Sequence, residues 1–528
     1  MINKILNNKP IRSCANSFMA RYSGYLLKKL ETTDIRTEQT KTFINLIARA
    51  KNTKFGKDHG FSSILSVEDY QKAVPLRTYE DFMVDYWKES FPVIDNITCP
   101  GRIPYFALTS GTATGKTKYI PLTTDMLRSN RLAALTMLGP YYQKSSIRNI
   151  LNGHFLFLGG STDLKYHAKG ICSGDLSGIT LASSPSWLKA FSFPHEDIAL
   201  TDDWDKKLKQ IVSVAKDLNI TAISGVPSWL LILFSELKKA TGKDRITDIW
   251  QGLSLIVHGG VNFAPYHDTF RKEISDSDVL FMETYPCSEG FIAFEDLRYN
   301  KLRLMTGHDI FYEFIPVDEL KKDNPVRHTM LNFETGINYA IVITTPAGLW
   351  SYIIGDTICF ENYDPPLLRF TGRTEQYLSA FGEHLICEEV EKAVNHASAS
   401  INAIINDFHA GPVFPDHNTT AGSHLFIIEF EDYRNNPDEI SMLIDNKLKE
   451  LNEDYRAHRT GDISIGEPKI IALKPGSFTE WMRSKGKLGG QNKVPRLDNT
   501  GKLTMEIKKW MTDNNKIQVP NPKPKNPE

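Results

Sequence analysis

Between residues 155 and 282 the chain repeats one pattern, a short and almost wholly apolar run followed by a longer amphipathic stretch. Runs at 155–158, 220–224, 253–257 and 279–282 read as strands, and 204–218, 227–240 and 263–274 read as helices. A strand that is apolar on both sides needs cover on both faces, so the alternation predicts a largely parallel sheet between helices. Such sheets bind ligands beyond the carboxyl ends of their strands. That rule picks out Gly225-Val226-Pro227, His258-Gly259-Gly260 and the stretch Glu-Thr-Tyr-Pro-Cys-Ser-Glu-Gly at 283–290.

At 528 residues the chain exceeds what one core supports and should divide. The first hundred residues read as helical cover for the main sheet: Phe43, Leu46, Ile47 and Ala50 fall on one helical face. Ser66 with Asp69, and Thr78 with Asp81, resemble capping boxes with Asp in place of Glu. From 312 to 345 the pattern becomes meander-like. Beyond the polar Gly372-Arg373-Thr374-Glu375, strands at 425–430 and 469–473 and a helix at 438–451 suggest a smaller α+β unit. The expected class is α/β, with a large N-terminal domain (1–374) of mostly parallel sheets covered by helices plus a β-rich subdomain. A smaller mobile α+β C-terminal domain (375–515) and a Pro-rich disordered tail (516–528) complete the expectation.

A net charge of −1 supplies no global field for nucleic acid or an anionic membrane, so neither partner is expected. The six cysteines are scattered without metal-ligand spacing and read as reduced packing residues, as in a cytoplasmic protein. The first residues lack a signal-peptide core, and no run approaches the roughly 18 apolar residues a spanning helix needs. Any anion site must therefore be local.

One stretch has that local character: Ala107-Leu-Thr109-Ser110-Gly111-Thr112-Ala-Thr-Gly115-Lys-Thr-Lys118 combines hydroxyls, sterically open backbone N–H groups and lysines. It is not a Walker A loop, which needs one more residue between Gly111 and Gly115. Taken alone it could equally be a polar surface turn. Three further groups bear on it. Glu289 could coordinate Mg²⁺ while Tyr285 covers a base. Asp356, behind Gly355, could accept from ribose hydroxyls, and Arg373 could pair with a ribose or phosphate oxygen.

In order and kind these residues resemble the adenylate-forming synthetases, and within them the acyl acid amido synthetases first known as plant auxin-responsive proteins. The resemblance rests on Thr109-Ser-Gly-Thr-Ala-Thr-Gly-Lys-Thr-Lys118, Tyr285-Pro-Cys-Ser-Glu289 and Trp350-Ser-Tyr-Ile-Ile-Gly-Asp356, with Gly490-Gln-Asn-Lys-Val-Pro-Arg496 further on. It spans roughly residues 40 to 505. Ser351 and Ile353 stand where plant members are rich in arginine, and Pro286-Cys287 stands where small residues and serine are usual. Gly372-Arg373-Thr374-Glu375 followed by Gly382-Glu383 looks more like the hinge of the wider superfamily, which suggests a bacterial-type branch.

The resemblance implies a carboxylate attacking the α-phosphate of ATP, then an amine, an amino acid, attacking the acyl carbon. It implies nucleotide binding by Thr109, Ser110, Gly111, Thr112, Gly115, Lys118, Tyr285, Ser288, Glu289, Asp356 and Arg373, with Mg²⁺ on Glu289. Lys118 and a lysine from the C-terminal domain, rotating about 373–375, would be catalytic. Lys493 is that lysine by its place in the Gln-x-Lys-x-Pro-Arg run, and Lys502 competes. The acid would lie near Val226, His258, Gly259 and Gly260, although His258 reads more readily as a satisfied strand-end histidine than as a carboxylate contact. Two alternatives stay open: an acyl-CoA ligase sharing the first step, and a non-catalytic nucleotide-binding regulator.

Overall fold

In the computed structural model, successive residues of the strand Leu255–Gly259 enter opposite cores. Leu255 joins Ala222, Met282 and Phe294 with residues of the helices Lys9–Thr32 and Thr124–Lys144. Ile256 joins Leu156, Ile223 and Leu233 with residues of Trp204–Ala215, Pro227–Thr241 and His267–Ile274. Burying each such side chain is worth on the order of 1.5–3 kcal/mol, so a strand covered on both faces is apolar throughout. The structure describes residues 9–518 except 111–116, 146–149, 160–163, 196, 197, 199, 200, 202, 203, 261, 262, 264, 265, 275–277, 375, 376, 379, 382, 384, 415–421, 434, 435, 453, 454, 457, 458, 460–464 and 488–492.

Among the described residues the main sheet has twelve strands. Ser192–Phe193, His154–Leu158, Ile220–Gly225, Leu255–Gly259 and Leu280–Cys287 run parallel. Gly290–Asp296 folds back on the last of these, and Lys301–Leu304, Leu367–Arg373, Tyr352–Asn362, Asn338–Thr344, Phe311–Pro316 and His328–Thr329 extend the same sheet. The β-rich part expected after 312 therefore continues the parallel half. A separate four-stranded sheet is ordered Thr117–Leu122, Tyr105–Ser110, Ile171–Gly174, Lys165–Ala168.

Both capping boxes form. Ser66 accepts from Asp69 N–H and Asp69 accepts from Ser66 N–H, each at 3.0 Å, opening the helix Val67–Ala73; Thr78 and Asp81 do the same for Tyr79–Phe82. Ser66→Ala should cost about 1 kcal/mol, read as a lower urea midpoint for the first unit. An unchanged midpoint would mean that packing of the buried Tyr70 alone holds this helix.

The chain splits into two compact units. The first runs through Ile354 and takes in Cys359–Arg369; the second takes Gly355–Ile358 and most of the chain from Phe370 onward. In the second, the sheet Ile405–Val413, Ser423–Phe430, Lys469–Leu473 is again apolar on both sides. Phe426 and Ile428 pack with residues of Cys387–Ser400 and Pro437–Leu451, whereas Leu425 and Ile427 pack with residues of Ser477–Ser484 and Lys502–Asp513. Residues 516–518 are bound to this sheet, Lys474 N–H donating to Lys516 O at 3.0 Å and Gln518 N–H to Ala472 O at 2.8 Å. Order thus extends past the expected boundary at 516, because the backbone of strand Lys469–Leu473 has an open edge there; residues 519–528 lie outside the described residues.

Candidate active site

The Thr/Gly/Lys stretch is a β-hairpin. Thr109 pairs with Lys118 and Ser110 with Thr117 across antiparallel strands, so the two strands deliver their ends to one tip. Gly111, Thr112 and Gly115, expected in the nucleotide site, lie outside the described residues. Lys118 Nζ is 3.4 Å from Glu80 Oε1 and 5.5 Å from the centroid of the Tyr79 ring. Tyr79 Oη accepts from Tyr119 N–H at 3.0 Å, tying the capped helix to the lysine strand.

The 283–290 stretch was expected to follow a strand as a loop. Instead the strand continues through Cys287, and Ser288 and Glu289 form the two-residue turn to Gly290–Asp296. Pairing with the returning strand satisfies the backbone that a loop would have left to solvent. Glu289 is only 8% exposed, and its Oε1 accepts from Tyr352 Oη at 3.2 Å. Burial, and then the Glu289 carboxylate, push the Tyr352 phenol far above its ordinary value, so it remains a donor. Glu80 acts on the same phenol. Lys118 is thus held by Glu80, and Glu289 by Tyr352, each motif residue by a partner from outside its own motif.

Tyr285 is half-buried on the strand before that turn. His258 lies 3% exposed, its ring stacked on Phe263 with centroids 3.7 Å apart. Burial drives its pKa down to about 3, so it is a neutral wall residue with no charge to offer a carboxylate. Gly259 is required by packing: a Cβ there would lie 2.3 Å from Thr284 O. Gly260 has φ +82°, and Val226 is the half-buried cap of Pro227–Thr241.

Sequence reasoning picked out Glu283 only as part of the 283–290 stretch, without a role, and missed Glu295. Glu283 N–H donates to Glu295 Oε2 at 2.8 Å, and burial, reinforced by Glu295, pushes the Glu283 carboxyl up to about 7. Glu283 is paired in register with His258, which puts it at the end of the parallel strands. Spacing from the turn does not give the pairing away, because a register shift between Phe291 and Ala293 is what brings Glu295 level with Glu283.

In the second unit, Asp356 is 4% exposed and accepts from Arg373 Nε at 2.8 Å. Gly355 has φ +90°, and its carbonyl accepts from Thr374 N–H at 2.8 Å, which holds these residues together. Glu375, at the expected hinge, lies outside the described residues. Lys493 keeps solvent access, yet the protein around it, and then the Arg373 charge, lower its pKa to about 8 while Asp356 opposes the shift. Its segment is fastened to Ile405–Val413: Ala410 N–H donates to Arg496 O at 2.8 Å, Asp498 N–H to Ala410 O at 3.0 Å, and His409 Nδ1 lies 2.6 Å from Pro495 O. Lys502, by contrast, is the exposed first residue of Lys502–Asp513.

The fold comprises a helix-covered parallel sheet whose far half is antiparallel and a small α+β unit. It matches the solved AtGH3.15 acyl acid amido synthetase in complex with 2,4-DB at TM-score 0.75 over 94% of this chain and 98% of that one, with 18% identity. It also matches a 2-hydroxyisobutyryl-CoA ligase in complex with 2-HIB-AMP at TM-score 0.59 over 92% and 94%, with 11% identity. The sequence matches the GH3 family N-terminal domain at residues 27–213, the central domain at 303–373 and the C-terminal domain at 388–502. The chain belongs to the GH3 family. Among curated relatives, the indole-3-acetic acid-amido synthetase GH3.15 of Arabidopsis thaliana is 23% identical over 88% of this chain and 91% of its own.

Proposed function

We propose that this chain is an ATP-dependent acyl acid amido synthetase that activates a small carboxylic acid as its adenylate and transfers the acyl group to an amino acid. The observation that carries this reading is that Lys118, 3.4 Å from Glu80, and the buried Glu289, 3.2 Å from the Tyr352 hydroxyl, both stand in a GH3-family chain. In the first step a carboxylate oxygen attacks the α-phosphorus and the bond to pyrophosphate breaks. The amine nitrogen then attacks the acyl carbon, the acyl–oxygen bond to AMP breaks, and the nitrogen loses its proton.

Each residue answers a charge problem in that sequence. The first step gathers anions, and Lys118 and Lys493 supply cations toward the phosphates. Asp356, with Arg373 orienting it, offers a carboxylate to ribose hydroxyls, and Tyr285 offers a ring to the base. Glu289 fits Mg²⁺, since a single buried carboxylate is the protein share expected for a hard cation otherwise held by phosphate oxygens. Among the described residues no cluster of three or more His, Cys, Asp or Glu offers an all-protein cage. When bound, Mg²⁺ would neutralise the polyphosphate. No helix among the described residues is long and apolar enough to cross a membrane, and six cysteines that form no disulfide suit a reducing compartment. We assign the reaction to the cytoplasm.

The test is a pyrophosphate-release screen over carboxylic acids, repeated with amino acids and with CoA while products are weighed by mass spectrometry. Acid-dependent pyrophosphate and an amide product are expected; an acid-dependent thioester with no amide would make the chain an acyl-CoA ligase. Lys118→Ala is expected to weaken ATP binding about tenfold by calorimetry, the worth of one charge-assisted contact. Unchanged binding, with no pyrophosphate released from any acid, would favour a nucleotide-binding regulator.

A further inference from the structure

Ser351 occupies a place where the resemblance leads one to expect arginine, and a guanidinium reaches it from elsewhere in the chain. Arg327 Nη2 donates to Ser351 Oγ at 2.5 Å. The same guanidinium grips Glu313 with Nε to Oε1 and Nη2 to Oε2, both at 3.0 Å, and Nη1 donates to Val74 O at 2.7 Å. The Arg327 and Glu313 side chains are 8% and 0% exposed. A guanidinium neutralised this way, with its donors turned to protein acceptors, has no charge to offer a substrate anion.

What it holds is a turn. Ser351 has φ +45°, a left-handed conformation that a non-glycine residue keeps only when its surroundings impose it. They do so on every side. Ser351 N–H donates to Thr344 Oγ1 at 3.0 Å, Ser351 Oγ lies 2.9 Å from Tyr70 Oη and 3.1 Å from Glu313 Oε2, and Ser351 O accepts from Arg77 N–H at 3.0 Å. The next residue is Tyr352, whose hydroxyl donates to Glu289. Ile353 N–H then donates to Arg77 O at 2.9 Å, so Tyr352 is pinned on both sides by backbone.

We infer that Arg327 is a positioning residue: through Glu313 and Ser351 it fixes the left-handed turn that aims the Tyr352 hydroxyl at Glu289, and thereby sets how well that carboxylate receives the cation of a metal–nucleotide complex. The inference rests on the reading of Glu289 as the Mg²⁺–ATP carboxylate. It gives the buried pair a task at the site, exercised at one remove, since groups that orient a metal-binding side chain affect metal affinity nearly as strongly as the ligand itself.

The test is calorimetric ATP binding, with Mg²⁺ and again in chelator, on wild type, Arg327→Met, Tyr352→Phe and the double variant. Each single variant should weaken Mg²⁺–ATP binding about tenfold and leave Mg²⁺-free ATP binding within about twofold, and the double variant should be no weaker than the weaker single one. Arg327→Lys should recover part of the loss. Should Arg327→Met fail to fold, Ser351→Ala removes the bridging hydroxyl without stranding a charge and should show the same selective loss. Equal weakening with and without Mg²⁺, multiplicative losses in the double variant, or no loss would overturn the inference. A wild type that binds Mg²⁺–ATP but forms no adenylate would overturn the functional reading alone.

Discussion

Lys493→Ala is expected to slow acyl-adenylate formation about 10²- to 10³-fold, the loss typical of removing one donor aimed at transition-state charge, whereas Lys502→Ala should stay within about threefold. Sequence alone leaves these two lysines in competition, since each sits in a motif-like context. The structure separates them by surroundings. Lys493 feels Asp356 and Arg373, the pair proposed for the ribose side of the nucleotide, and its segment is fixed by the Arg496 and Asp498 backbone bonds to Ala410. Lys502 opens a helix in solvent, with only Gly501 before it at φ +74°.

The same surroundings give a pH signature. Burial and Arg373 disfavour the ammonium, so Lys493 loses its proton near pH 8 and not near 10. A step that needs the charged form should hold steady below that pH and fall with one ionisation as pH rises through about 8. Lys493→Arg, which keeps its charge throughout, should remove the fall even if its rate is lower. Pyrophosphate exchange measured across pH 6.5 to 9.5 checks both. A Lys502→Ala variant that loses exchange while Lys493→Ala retains it would transfer the role.

Local rules located the helices Trp204–Ala215, Pro227–Thr241, His267–Ile274 and Pro437–Leu451, and the strands that alternate with the first three, because their causes are local; Thr124–Lys144 and Cys387–Ser400 went unread. Lys469–Leu473 and the two capping boxes fall where the residues put them, since β-propensity and an N-cap act within a few residues. Tyr285-Pro286-Cys287 is less legible. Proline and polar neighbours read as loop, but Pro286 is exposed and opposite Phe291, where a strand can tolerate it. The four-residue strands Lys165–Ala168 and Ile171–Gly174 are too short to display a period.

Of the proposed site, Lys118 and Glu289 are given roles by their motifs, whereas Tyr352 stands in a motif without a role and Glu80 stands in none. Glu80 falls between the two residues of a helix cap, Thr78 and Asp81, and Tyr352 falls between Ser351 and Ile353 with nothing in sequence to say which carboxylate it meets. Only the fold shows that one holds the lysine and the other the carboxylate. Arg327 was further out of reach, because its bond to Ser351 joins residues 24 apart in sequence, and no spacing rule pairs them.

His424→Ala should lower the melting temperature of the second unit by about 10 °C, from roughly 3 kcal/mol or more for stranding a buried partner. Glu383 drew attention as part of Gly382-Glu383, a motif that looks like a hinge. The structure shows a tie in the core: His424 Nε2 lies 2.7 Å from Glu383 Oε1, Phe381 N–H donates to Glu383 Oε2 at 2.8 Å, and both charged-type side chains are fully buried. Burial alone would raise the Glu383 carboxyl; the His424 hydrogen bond and its charge outweigh this and hold it below the usual range. A lowered carboxyl contributes stability that is complete above the unfolded value near 4.3 and is lost as pH falls through the folded one. The gap between wild type and His424→Ala should therefore be full at pH 7 and narrow below about pH 4. Glu383→Gln, which keeps an acceptor of the same shape for Phe381 N–H, should cost less than His424→Ala. Calorimetric melting of all three proteins at pH 7 and pH 4 decides it. A His424→Ala protein that melts within about 2 °C of wild type at pH 7 would mean that relaxation or water replaces the bond, and that Phe381 packed against Gly422 is what holds this segment to the sheet.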